Sequence, residues 1–251
     1  MIRAAAFNPF PRLLNDFFAL FYPEICQICR GEKAAASASY ICERCRGGIR
    51  YIEAPFCDCC GLPFQGDITV SFECANCRDQ KLHFRAARAA VELSGPLQEV
   101  VHRYKYNHAT WFEPFLAGLL ISHAKPVLAQ SRWDYIVPIP LHWLKLRERS
   151  FNQSLRLARQ LGKATGIPVH NRLLKRTQPT STQTRLTRAE RTQNVKRAFA
   201  YRGRTKLAGE RIILVDDVLT TGATASACAK LLMQNGASVV DVWTVARGIL
   251  K

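Results

Sequence analysis

Two adjacent carboxylates, followed almost at once by hydroxyls around a glycine, form the most chemically loaded stretch of this chain. In Arg211-Ile-Ile-Leu-Val-Asp-Asp-Val-Leu-Thr-Thr-Gly-Ala-Thr224, four apolar residues lead into Asp216 and Asp217, and Thr220, Thr221, Gly222, Ala223 and Thr224 follow. A strand feeding a helix through such a turn offers unpaired backbone N–H groups and the positive end of a helix dipole, the ingredients of an anion site. Gly222 lets the backbone approach closely, and the threonines add donors. No Gly-Lys-Ser/Thr and no G-x-G-x-x-G is present, which excludes a Walker loop and a dinucleotide fingerprint.

The paired acids need a separate explanation, because carboxylates repel phosphate. They accept hydrogen bonds from sugar hydroxyls a few ångströms away. A ribose 5-phosphate satisfies both halves, with its phosphate on the threonine turn and its 2- and 3-hydroxyls on Asp216 and Asp217.

A second constellation lies upstream. Nine of the ten cysteines fall between positions 26 and 77, and eight form four C-x2-C knuckles: Cys26/Cys29, Cys42/Cys45, Cys57/Cys60 and Cys74/Cys77. One tight turn presents two thiolates to a metal and a second turn closes the site, so the series predicts two structural zinc ions, each held by four thiolates. With every position filled by sulfur, neither ion has an open site for catalysis; the metal folds a segment too small to hold a core. A disulfide framework would need an oxidising compartment, and residues 1–25 carry no secretory signal pattern. Cys59, inside Cys57-Asp-Cys-Cys60, competes as a ligand. Spacing leaves sequential and interleaved pairing both open. Cys228 stands apart as a small buried side chain.

The elements that must position these residues follow from hydrophobic pattern. Tyr135–Pro140 reads as a short buried strand, Ser150–Thr165 as a helix stopped near Gly166, and Arg211–Val215 as a strand buried on both faces. Ala223–Gln234 reads as a helix ended by Asn235-Gly236, and Ser238–Val245 as another apolar strand. Strand, helix, strand at this spacing predicts a parallel α/β sheet, with the Asp pair and threonine turn beyond its carboxyl ends. Residues 12–22 read as a packing helix leading into the cysteine module, with an amphipathic membrane-surface helix as the alternative. Trp143 and Phe151, neighbours of Lys145 and Arg149, suit either stacking on nucleic-acid bases or packing in the core, and the core is the expectation. Five histidines (His83, His108, His123, His142 and His170) lack a partner spacing, and no catalytic base stands out.

Charge narrows the partner class. The formal net charge is +17, and Arg132–Arg211 alone holds 19 Lys and Arg against four acids, a net of +15. An excess gathered in one segment favours a localised anion site over general solubility. No apolar run is long enough to span a bilayer.

Val215–Thr224 resembles the phosphoribosyl-pyrophosphate (PRPP) signature of type I phosphoribosyltransferases. With four cysteine knuckles upstream, residues 24–249 resemble the ComF/GntX family of competence-associated phosphoribosyltransferase-like proteins. Further matches are Arg147-Glu-Arg-Ser-Phe-Asn-Gln153, the spaced set Arg176-Thr177, Gln183, Leu186, Arg191, Asn194 and Ala198-Phe199, and the weaker His102-Arg-Tyr-Lys105-Tyr106. Ser150 stands where that family commonly has glycine. If the position needs a positive φ, serine costs on the order of 1 kcal/mol there.

The resemblance implies an α/β, type I phosphoribosyltransferase-like parallel-sheet domain preceded by a small zinc-ribbon module. The expected division is an N-terminal packing helix at 1–23, a double zinc ribbon at 24–80, and a phosphoribosyltransferase-like domain at 81–251 with a basic flexible loop about 176–204. It implies PRPP with magnesium at Asp216, Asp217 and Thr220–Thr224, with Lys105, Arg147, Arg149, Asn152, Arg185, Arg188 and Arg191 as candidates for the diphosphate. In such enzymes a nucleophile displaces pyrophosphate from C1 of the ribose through an oxocarbenium-like state. The acceptor region, about residues 82–125, carries no readable motif. The family also implies a cytoplasmic role in DNA uptake, with single-stranded DNA and other uptake proteins as partners. An alternative to catalysis is a single-stranded DNA-binding protein that uses PRPP as ligand or regulator.

Overall fold

The computed structural model describes residues 24–64, 66, 68, 70–178 and 198–249. The expected helix at 12–22 and the arginines at 185, 188 and 191 lie outside the described residues. Two short helices, α1 (Glu43–Gly47) and α2 (Ala75–Arg78), belong to the cysteine module. The remainder runs β1 (Ala86–Glu92), α3 (Gly95–Tyr106), α4 (Glu113–Leu128), β2 (Tyr135–Pro138), α5 (Trp143–Arg149), α6 (Gln153–Thr165), β3 (Leu174–Arg176), β4 (Phe199–Tyr201), β5 (Arg211–Leu219), α7 (Ala223–Gln234) and β6 (Val239–Arg247).

β1, β6, β5 and β2 form one parallel sheet in that order, and β3 and β4 form a small antiparallel pair. β5 shows why its sequence lacks alternation. Ile213 and Val215 enter the core shared with α4 and α6, while Ile212 and Leu214 enter the core shared with α7 and the β3–β4 pair. Both faces are covered, as parallel sheets require.

Helix punctuation is local and legible. His142 caps α5 through Nδ1, which accepts from the Leu144 N–H at 3.3 Å. Ser150 then ends α5 in the left-handed region, at φ 62°. Asn152 caps α6, its Oδ1 accepting from the N–H groups of Ser154 (3.0 Å) and Leu155 (3.4 Å). Gly166 closes α6 at φ 77°. The helix expected from Ser150 to Thr165 is present but starts at Gln153, because Ser150 in the left-handed region and the extended Asn152 keep its first residues out of the helical backbone; α5 is a separate helix before it. β5 is longer than expected. Its ladder with β6 continues through Asp216↔Thr244 to Leu219↔Arg247, so both acids sit on the strand and not beyond it.

The cysteine module docks on β1, whose outer edge would otherwise expose unpaired backbone groups. Ile52 N–H donates to the Ala90 carbonyl (3.0 Å), Glu92 N–H to Arg50 (2.8 Å) and Ala87 N–H to Cys59 (2.7 Å).

Candidate functional site

At the carboxyl ends of β2 and β5 a cleft of about 970 Å³ opens, lined among others by Lys105, Arg149, Gln153, Ser154, Arg176, Asp216, Asp217, Thr220 and Thr224. Asp216 and Asp217 are carried there by the last turns of β5 register. Asp216 Oδ1 accepts from Ser154 Oγ at 2.7 Å and from the Asp217 N–H at 2.9 Å. Asp217, only 3% exposed, pairs through Oδ2 with Lys105 Nζ of α3 at 2.6 Å. Its Oδ1 accepts from the Val218 N–H at 2.9 Å. Burial, reinforced by the neighbouring Asp217 charge, pushes the Asp216 carboxyl up to about 7.

The threonine turn leads into α7 with Gly222 at the N-cap, φ 78°. A Cβ at Gly222 would meet Phe84 and Leu82 at ordinary contact distances, 3.5 and 3.7 Å. Glycine is favoured here by its positive φ more than by close packing. Thr221 Oγ1 receives the Ala223 N–H at 3.4 Å, and Thr220 and Thr224 face the cleft.

Across the cleft stands Arg149, the last residue of α5. It is buried, 7% exposed, with its guanidinium 4.8 Å above the Tyr106 ring. Its Nε has no hydrogen-bond partner among the described residues, and neither has Oε1 of the equally buried Gln153. Buried polar atoms left unanswered at a cleft call for a partner there, a water, an ion or a ligand. Arg176, at the end of β3, lies 5.3 Å over Phe199 and also lines the cleft.

The structure thus brings Lys105, Arg149, Asp216, Asp217, Thr220 and Thr224 to one cavity. Arg147 instead lies over Trp143 at 5.9 Å, and Asn152 uses its side chain to cap α6 and to donate to the Ile139 carbonyl at 3.2 Å. Trp143 corrects an expectation. It is 56% exposed on the rim helix α5 beside the exposed Leu144 and Leu146, while Phe151 does pack on the core. Ser154, Gln153 and Arg176 were not singled out as site residues by sequence reasoning. Arg247 had no local signal, because apart from the adjacent Gly248 carbonyl its partners lie 27, 28 and 187 residues away.

The eight knuckle cysteines gather as two sets in chain order, Cys26/Cys29/Cys42/Cys45 and Cys57/Cys60/Cys74/Cys77, each with its sulfurs within 4.8 Å of one another. Pairing is sequential, and Cys59 stays outside both sets. Cys26–Cys45, Cys29–Cys42, Cys57–Cys77 and Cys60–Cys74 sulfurs are 3.8, 3.7, 3.8 and 3.6 Å apart. Four sulfurs at ~2.3 Å from one tetrahedral zinc stand about 3.8 Å apart, whereas a disulfide needs ~2.05 Å. The donor sets suit two structural zinc ions. Cys228 is fully buried, and burial pushes its thiol up. Among the described residues, no helix is long and apolar enough to cross a membrane.

Comparison with known proteins agrees with both halves of the chain. The double zinc ribbon domain family matches residues 17–79. Competence protein F of Haemophilus influenzae is 31% identical over 231 residues, covering 90% of this chain and 98% of that protein. DNA utilization protein YhgH of Escherichia coli is 30% identical over 231 residues, 91% of this chain and 99% of its own length. Competence protein ComFC of Bacillus subtilis is 27% identical over 213 residues, with 82% and 84% covered. Similarity at this level along nearly the whole length means that the chain belongs to the ComF/GntX family of competence-associated proteins, with a double zinc ribbon towards its amino end.

Proposed function

We propose that this protein binds PRPP with magnesium in the carboxyl-end cleft and acts in the handling of DNA taken up during natural transformation. The observation that carries the reading is the opposition, across one cleft, of the Asp216–Asp217 pair and threonine turn to the buried Arg149 guanidinium with its unanswered Nε. A 5-phosphate rests on the backbone N–H groups at the start of α7 and on the threonine hydroxyls. The ribose 2- and 3-hydroxyls donate to the two carboxylates. The diphosphate then faces Arg149 and Arg176. Magnesium bound with it would neutralise part of its charge.

Lys105 gives the ligand-free site its own logic. Its pairing with Asp217 satisfies a buried carboxylate that a sugar hydroxyl would otherwise meet. On ligand entry the ammonium moves to the diphosphate and Asp217 turns to the ribose. In a transfer reaction the bond from C1 to the diphosphate oxygen breaks as the bond from C1 to the acceptor forms. Arg149 and Lys105 then hold the negative charge that collects on pyrophosphate. The names of the relatives, competence and DNA utilization proteins, support the DNA context.

A second reading has its own observation. At the opposite, amino end of the sheet lies a cavity of about 670 Å³ lined by Arg172, Arg202, Arg204 and Lys206 together with Tyr135 and Tyr201. Cations beside aromatic rings suit single-stranded DNA, whose phosphates and bases they meet respectively. In this reading PRPP is a ligand or regulator and no transfer follows. Calorimetry of PRPP–magnesium against wild type and Asp216→Ala/Asp217→Ala tests the cleft, with loss of binding expected in the double variant. Pyrophosphate release, with and without single-stranded DNA, separates the readings. Release selects the transferase; binding without release selects the ligand-controlled DNA protein. Wild type that binds no PRPP overturns the proposal.

A further inference from the structure

Arg247 ends β6 at 3% exposure, yet it has no carboxylate partner among the described residues. Its guanidinium is spent on another task. Nε donates to the Cys60 carbonyl at 3.1 Å, and Nη2 reaches Cys60 Sγ at 3.5 Å. Nη1 donates to the carbonyls of Leu219 (3.1 Å), Thr220 and Gly248. One side chain therefore grips a ligand residue of the second cysteine set and the two residues at which β5 gives way to the threonine turn.

Charge makes the same connection. A guanidinium buried without a counter-charge is strongly unfavourable. Four thiolates around a zinc dication carry a net charge of about −2, and Cys60 places that cluster against Arg247. The knuckle itself is seated firmly. Gly61, at φ 64°, lies so near β1 that a Cβ would stand 2.7 Å from the Ala87 carbonyl oxygen, and Arg88 donates to the Asp58 carbonyl at 2.7 Å. On the turn side, Gly248 N–H donates to the Leu219 carbonyl at 2.8 Å. The path from knuckle to turn is thus a single arginine between two well-anchored backbones.

We propose that Arg247 is a positioning residue through which the Cys57/Cys60 knuckle of the second zinc site shapes the threonine turn, so that filling of that metal site governs how tightly the cleft holds a phosphorylated ligand. The ligand half of this inference rests on the reading of the cleft as a PRPP site; the mechanical half stands without it.

The test uses full-length, zinc-loaded protein and reads amide hydrogen exchange at residues 219–223 beside PRPP–magnesium affinity. Cys74→Ser/Cys77→Ser removes two ligands of the second site while leaving Cys60 and Arg247 in place. It is expected to speed exchange at 219–223 at least tenfold and to weaken PRPP binding at least tenfold. Cys29→Ser/Cys42→Ser, at the first site, is expected to leave exchange in the turn unchanged. Arg247→Lys keeps the charge but loses the fork that spans several acceptors. It is expected to retain two zinc ions by native mass spectrometry and to show the same faster exchange. If the cysteine variant unfolds and exchange rises everywhere, Arg247→Lys decides. Unchanged exchange at 219–223 in Arg247→Lys, or in a folded second-site variant, overturns the proposal. Wild type that binds no PRPP would bring down the reading of the cleft, and the exchange comparison would still decide the coupling.

Discussion

Asp216 carries the clearest titration signal in the cleft. Burial and the adjacent Asp217 raise its folded-state pKa to about 7, far above the unfolded value. Between about pH 4 and pH 7 the folded chain holds a proton that the unfolded chain releases, so this residue makes stability fall as pH rises through that window. Asp216→Asn removes the effect. Its Tm, measured without magnesium, is expected to exceed that of wild type at pH 8, by the equivalent of ~2–4 kcal/mol, and to converge with it near pH 4. Ser150 makes a second prediction at this scale. A non-glycine residue at φ 62° costs about 1 kcal/mol in backbone strain. Ser150→Gly, which removes the Cβ from this left-handed position, is expected to raise unfolding stability by up to about 1 kcal/mol in urea titrations. A serine hydroxyl with an undetected partner would appear as a loss instead.

The α3 helix serves the cleft at two points: Tyr106 lies under the Arg149 guanidinium, and Lys105 answers the buried Asp217. Both side chains are largely removed from water, 18% and 4% exposed. Breaking such a pair from one side leaves an uncompensated buried charge at a cost of about 3 kcal/mol. Lys105→Met is expected to lose about that much stability, and Lys105→Met/Asp217→Asn to recover most of it. If the double variant is as unstable as the single one, Lys105 stabilises through packing of its stem and not through Asp217. α3 is held from elsewhere too. Tyr104 donates to Glu113 of α4 at 3.3 Å, and Glu113 is ion-paired to Arg156 of α6. Arg103 of α3 donates to the Gln27 carbonyl in the first cysteine set and, at 3.2 Å, to the Gln27 amide oxygen. The helix that supplies Lys105 is thus braced by both the α/β core and the zinc ribbon.

Over the whole molecule, the anionic ligands proposed here have separate ends of the sheet. The cleft opens at the carboxyl ends of the strands, and the basic cavity lies at their amino ends. A strand of DNA could occupy the second while PRPP occupies the first. Binding of single-stranded DNA is expected to weaken steeply with salt, as counterion release requires. Arg202→Ala/Arg204→Ala is expected to lower affinity and to reduce the slope of log affinity against log salt by about one to two, without changing PRPP affinity. An unaltered slope would move DNA to another basic surface.

The sequence by itself determined the four thiolate knuckles and the hydroxyl-rich turn at the start of α7, because both depend on spacing within a few residues. Two thiolates on one tight turn, and hydroxyls at a helix start, are local facts, as are the caps that delimit α6 and α7. The parallel sheet was also legible, since buried strands alternating with helices have few other ways to pack. The tertiary structure decided what depends on distant partners. Sequential pairing of the knuckles, the meeting of Ser154 with Asp216 and of Lys105 with Asp217, and the placement of Trp143 in solvent follow from packing that no short window contains. Arg247 is the extreme case. Read in sequence, it is a charge ending an apolar strand; folded, it joins a cysteine knuckle to the threonine turn, because a buried guanidinium must find acceptors wherever the fold brings them.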